Sequence, residues 1–158
     1  MVVKPRTLRS PRRAAAALAL LASALATPAA AQNVSQTQPL DFGRVALGSG
    51  SGSVTVTPAG AATCGPHYCL GSHQSASFQV SGLSLLIVDI SFSSGNVLTL
   101  QGGGGTLDLV NLVDSRGGSF RLSLLGTGSF DVGGDLVVPN TTAAGLYDGI
   151  YEVFVDYQ

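Results

Sequence analysis

From residue 40 to residue 158, apolar and polar side chains alternate in short runs separated by glycine. Leu40-Asp41-Phe42-Gly43-Arg44-Val45 puts Leu40 and Phe42 on one face of an extended segment. Ser53-Val54-Thr55-Val56-Thr57 alternates and stops at Pro58. Phe78-Gln79-Val80 precedes LSLLIVDISF (83–92), whose apolar middle predicts a central buried strand. Leu98-Thr99-Leu100 runs into the glycines at 102–105, which predict a hairpin turn into Leu107-Asp108-Leu109-Val110. Phe120 to Leu124 follows, and Phe130-Asp131-Val132 continues through Gly133-Gly134 into Leu136-Val137-Val138-Pro139. The period is two throughout, and no segment sustains 3.6. About eight to ten short strands, with a turn signal about every 8 to 12 residues, predict an all-β sandwich.

The most regular alternation is GLYDGIYEVFVDYQ, residues 145–158. As one strand it places Tyr147, Gly149, Tyr151, Val153, Val155 and Tyr157 on a face that buries. Asp148, Ile150, Glu152, Phe154 and Asp156 then share the solvated face. No tail follows to cover the free backbone groups, so an exposed edge of this length calls for a pairing strand.

The opening residues have a different character. Lys4, Arg6, Arg9, Arg12 and Arg13 precede the thirteen-residue apolar run 14–26, and Ala29-Ala30-Ala31 fits a small-residue cleavage site. A membrane span needs about 20 apolar residues, so the pattern predicts a signal peptide over 1–31, cleaved before Gln32. The expectation is an exported protein of the periplasm, cell surface or extracellular space, with one domain over 32–158 and no membrane span after cleavage. That domain keeps three arginines (Arg44, Arg116 and Arg121) and no lysine against nine carboxylates, a net charge of −6. Nucleic-acid binding requires clustered cations, and this composition excludes it. It also supplies no basic stripe to hold anionic lipid.

Reactive chemistry is confined to Cys64-Gly65-Pro66-His67-Tyr68-Cys69 and His73. Two nearby cysteines in an exported chain predict a Cys64–Cys69 disulfide that pins a protruding, exposed loop. A metal site of Cys64, His67, Cys69 and His73 is the weaker alternative, because its spacing matches no common finger and an oxidising compartment removes the thiolates. The carboxylates are scattered singly, and no nucleophile motif accompanies the two histidines. The glycines at 102–105 are not followed by a phosphate-binding Lys-Ser or Lys-Thr. The expectation is a non-enzymatic protein without a cofactor.

Four motifs in order carry a family resemblance: Leu40-Asp41-Phe42-Gly43, Val54 to Gly60, Val132 to Pro139, and Gly145 to Tyr157. Together they resemble the exported bacterial domain of unknown function 4402. The last also resembles the terminal β-motif of chaperone–usher pilins, with Gly145 fourteenth from the end and Tyr157 penultimate. The resemblance implies an immunoglobulin-like, pilin-like sandwich in a structural or assembly role, with other pilin-like subunits or a periplasmic chaperone as partners. Pilins borrow a strand from a neighbour's N-terminal extension, but here QNVSQTQP (32–39) offers only Val34 as an apolar knob. A terminal subunit and a self-complete sandwich therefore both stay open. The alternative function is an adhesin or carbohydrate-binding sandwich that uses loops at one end, such as the Cys64–Cys69 turn.

Overall fold

A computed structural model describes residues 32–101 and 105–158. The predicted signal peptide and the glycines at 102–104 lie outside the described residues.

Thirteen strands and no helix form among the described residues. The longest, β11 (Thr127–Val138), organises the large sheet. Along one side its first half pairs with β6 (Ala76–Ser81) and its second half with β3 (Gly52–Val56). Along the other side runs β9 (Thr106–Asp114). Beyond β6 lies β1 (Asn33–Gln38), and beyond β9 come β8 (Asn96–Leu100) and β12 (Tyr147–Gly149). The two-residue β4 (Ala62–Thr63) borders β3. A smaller sheet places β7 (Ile87–Phe92) between β10 (Ser119–Arg121) and β13 (Val153–Tyr157). A two-stranded ribbon of β2 (Arg44–Ala46) and β5 (Tyr68–Leu70) stands apart from both. All of these pairings are antiparallel, and the sheets enclose a β-sandwich core.

The alternation in the sequence explains which faces bury. Val54 and Val56 point inward from β3, as do Phe130, Val132, Leu136 and Val138 from β11. A fully buried side chain of this kind contributes about 1.5–3 kcal/mol. On β9 the inward positions begin as Leu107 and Leu109, then change phase so that Leu112 packs inward. The cause is a bulge: the β9–β11 register shifts between Gly133 and Asp135, beside Asn111 at φ 51°. Asparagine tolerates this left-handed conformation better than most residues, and its side-chain amide donates to Asp135 Oδ2 at 2.8 Å. The bulge falls between two core clusters, one around Phe78, Val88 and Phe130, the other around Val54, Leu109 and Leu136.

Three expectations need correction. LSLLIVDISF is strand only from Ile87; that strand is central in its sheet, but Leu83, Leu85 and Leu86 are exposed. Leu40 to Val45 is not one strand: Asp41 makes an isolated bridge to Gln74, and Gly43, at φ 65°, turns the chain before β2. The polar segment 32–39 is not a bare extension, since β1 pairs with β6 from Asn33 opposite Ser81 to Gln38 opposite Ser77.

Candidate functional site: the terminal ribbon and its open edge

Residues 147–157 pair with 88–100 as one bent, two-stranded ribbon. Tyr147 opposes Leu100 and Gly149 opposes Leu98; after the corner, Val153 opposes Phe92 and Tyr157 opposes Val88. The predicted single strand is thus divided into β12 and β13, and the ribbon passes from the large sheet to the small one at Ile150-Tyr151-Glu152. Strands commonly change sheets at such bends. At this corner Ser93 N donates to the Glu152 carbonyl at 3.0 Å, and Glu152 N donates to Ser93 Oγ at 2.9 Å. Apart from Gly149, which the alternation places on the burying face and which is exposed, the inward and outward faces keep their predicted identity through the bend. Tyr147, Tyr151, Val153, Val155 and Tyr157 are half-buried, whereas Asp148, Ile150, Glu152, Phe154 and Asp156 are exposed. Tyr151 packs against both core clusters. Burial raises its hydroxyl pKa from 10.0 to about 12. Gly145 lies just ahead of the ribbon, exposed, in the loop that leads into β12.

The backbone directions along β13 follow from its bonds to β7. The Glu152 carbonyl accepts from Ser93, and Gln158 N donates to the Ile87 carbonyl. Alternation by two then turns the N–H and C=O groups of Val153, Val155 and Tyr157 away from β7. No described strand pairs with that outer edge. The Gln32 side-chain amide donates to the Val155 carbonyl, and Gln36 Nε2 reaches the Tyr151 hydroxyl at 3.5 Å. Gln32 immediately precedes β1, the outer strand of the large sheet, and Gln36 lies within it. The gap between the two sheets' outer strands is therefore spanned by side chains and not by a ladder. Tyr157 anchors the far end: its hydroxyl accepts from Leu83 N at 2.8 Å, and a Cβ on Gly82 would overlap that hydroxyl.

The other predicted residues gather at the opposite end of β11. Cys64 and Cys69 are joined, with Cα atoms 5.6 Å apart. The loop they close is exposed at Gly65, Pro66 and Tyr68, while its base is anchored: Cys64 is buried in the core cluster of Val54 and Val56, and Cys69 packs against it. His67 is 5% exposed and uses both ring nitrogens. Nδ1 accepts from Gly48 N at 3.2 Å, while Nε2 lies 2.9 Å from the Val138 carbonyl, which requires the Nε2–H tautomer. His73 Nδ1 donates to the Phe42 carbonyl at 2.8 Å. The two histidines thus hold the segment 42–48 against the sheet. With both thiols in the disulfide and both His67 nitrogens engaged, the set Cys64, His67, Cys69 and His73 retains only His73 Nε2 as a ligand atom. No group of three or more potential metal ligands occurs among the described residues.

Beside this segment is a cavity of about 470 Å³, lined by Leu40, Phe42, Leu98, Leu136, Leu146 and Tyr147 among others. Three of its polar side chains each hold a backbone group: Asp41 Oδ1 accepts from Gly43 N, Thr142 Oγ1 donates to the Pro139 carbonyl, and the Tyr147 hydroxyl donates to the Ala143 carbonyl. Neither the cavity nor the glutamines at the edge are evident in the sequence pattern. Alternation identifies which face buries, but not which neighbouring strand is missing.

No helix among the described residues is long and apolar enough to cross a membrane. No curated protein matches the chain, and no solved structure matches it. The matching family model extends over residues 33–157, from the first residue of β1 to the last of β13. The chain belongs to the family described as Domain of unknown function (DUF4402).

Proposed function

We propose that this protein is an exported, non-enzymatic assembly subunit of the bacterial surface or periplasm, engaged through the outer edge of β13. The observation that carries this reading is the unpaired edge at Val153, Val155 and Tyr157, beside a half-buried apolar face. An extended segment of another subunit or of a chaperone can add there by main-chain hydrogen bonds, with its side chains entering the seam beside β1. The partner strand displaces the Gln32 and Gln36 side chains, which cost little to move because water solvates their amides equally well. The engagement of His67 and His73 with backbone groups supports a structural rather than catalytic use of the only two histidines.

Val155→Pro tests the reading, because it removes an N–H that faces away from β7 and so blocks only the outer edge. The expected result is loss of co-purifying subunits or of self-assembled species, with the monomer still folded. An unmodified protein that stays a cooperative monomer at high concentration, without a partner, would refute it. The loop-end alternative has the 470 Å³ cavity in its favour, but that lining suits an aliphatic group better than a sugar. A thermal shift produced by disaccharides would support that second reading, whereas one produced by medium-chain alcohols alone would count against it.

A further inference from the structure

The cavity of about 470 Å³ has two chemically distinct zones. Phe42, Leu107, Leu136 and Val138 line it and are buried, so they form its floor. Leu47 and Leu146 line it from opposite loops and are 41% and 64% exposed, so they form its rim. A mostly apolar cavity of this size falls within the ~300–1,000 Å³ of small-molecule sites. Its walls are fixed by bonds within the chain. His73 Nδ1 donates to the Phe42 carbonyl on one side, and Thr142 and Tyr147 tie down the loop 139–146 on the other.

Among the described residues, Asp41, Thr142 and Tyr147 are its only polar side chains, and they share one property. Thr142 Oγ1 gives its single proton to the Pro139 carbonyl, and the Tyr147 hydroxyl gives its own to the Ala143 carbonyl. Asp41, ionised, has no proton to give. All three therefore face a ligand as acceptors only. Asp41 is exposed, and its Oδ1 accepts from Gly43 N at 2.7 Å, which leaves acceptor capacity on both oxygens. None of the three arginines of residues 32–158 lines the cavity.

We propose that this cavity binds a medium-length aliphatic chain with a cationic amine head, the tail on Leu107 and Leu136 and the ammonium at Asp41. Charge complementarity selects this occupant. A carboxylate or phosphate head meets acceptors and no side-chain donor. An alcohol supplies one proton, whereas an ammonium supplies three and a charge opposite to that of Asp41. A sugar would set most of its hydroxyls against leucine, without partners. Burial of the tail, which also covers Leu47 and Leu146, supplies most of the affinity, and the head supplies the selectivity. The site is separate from the outer edge of β13, so either can fail without the other.

The test titrates the full chain at neutral pH with octylamine, octanol or octanoate, each below its micelle-forming concentration, and follows binding by calorimetry. Octylamine is expected to saturate one site per chain, at least about fivefold tighter than octanol, and octanoate to bind not at all. Asp41→Asn keeps an oxygen for Gly43 N, so the fold stays intact. It should abolish the preference for the amine and leave octanol binding unchanged. Asp156→Asn, an exposed carboxylate on β13, should change neither affinity. Ala144→Phe, at an exposed lining position, fills the cavity and should remove binding of both, with circular dichroism that of the parent. Absence of saturable octylamine binding, or octanoate bound as tightly, would overturn the proposal. So would a preference that survives Asp41→Asn, one lost equally in Asp156→Asn, or binding that survives Ala144→Phe.

Discussion

The two ends of β11 close the same sandwich by different means. At the Thr127 end a three-stranded second sheet covers the core, and Phe130 stacks on Phe78 with ring centroids 5.2 Å apart while Phe120 tilts against it at 6.1 Å. At the Val138 end the cover is only the short β2–β5 ribbon and the segment 42–48. There the chain uses cross-links: a disulfide, two histidines bonded to backbone, and a residual cavity of about 470 Å³. Close packing stabilises through many small contacts and leaves no void to line. Where the second layer is too short to supply those contacts, a few specific bonds hold it instead.

The largest expected effect tests this contrast directly. Phe130→Ala removes a buried ring from the packed end and should cost about 4 kcal/mol, a large share of a domain's net stability. Leu136→Ala, beside the cavity, should cost about 2 kcal/mol, since part of its surface already lacks neighbours. Urea midpoints at a common slope measure both. Equal losses would mean that the two ends are packed alike.

Next come the cross-links. His67→Ala strands the Gly48 N–H and the Val138 carbonyl in a buried site, with an expected loss of about 2–3 kcal/mol. Gly48 cannot shift to compensate by taking a side chain, because a Cβ there would overlap the Pro66 carbonyl oxygen. Replacing Cys64 and Cys69 together by Ala should cost about 2 kcal/mol, the modest value of a short closed loop. Hydrogen exchange should show both effects concentrated in β2 and β5, with β6 and β10 unaffected. Losses spread evenly over the molecule would remove the distinction between the ends.

The features readable from sequence are those that depend on local period. Alternation locates β3, β11 and the faces of the terminal ribbon, because a one-residue error would turn every apolar side chain outward. The cysteine spacing likewise points to the disulfide. What the pattern misses is set by contacts distant in sequence. Nothing near Asn33 announces that a run of glutamine and serine pairs with β6; its partner's buried Phe78 and Val80 supply the apolar face instead. The disulfide loop reads as exposed, and Gly65, Pro66 and Tyr68 are exposed, but nothing in the local pattern announces that Val54 and Val56 draw Cys64 inward. The apolar run at 83–86 reads as strand, but the backbone pairs with the Ser123 loop and leaves its leucines outside. The bend at Ile150 to Glu152 is equally hidden, because the apolar and polar residues keep their two-residue rhythm across the corner although Gly149 is exposed.

The smallest expected effect is found where the two ends meet, at Tyr151, which packs on both clusters. Its pKa rises from 10.0 to about 12 through burial, so the folded state retains a phenolic proton that the unfolded chain releases near 10. The contribution to stability is complete below pH 10 and is lost as pH climbs through 12. A fully buried group with this rise would contribute ~2.7 kcal/mol. Part of the ring meets solvent, and screening reduces the figure to about 1 kcal/mol. Tyr151→Phe should therefore flatten the decline in stability between pH 10 and 12 while leaving the value at pH 8 nearly unchanged, because the hydroxyl's bond to Gln36 is long at 3.5 Å. Denaturation series at the three pH values provide the measurement. An undiminished alkaline decline in the Phe variant would place the titrating group elsewhere and remove Tyr151 as the joint between the two halves of the core.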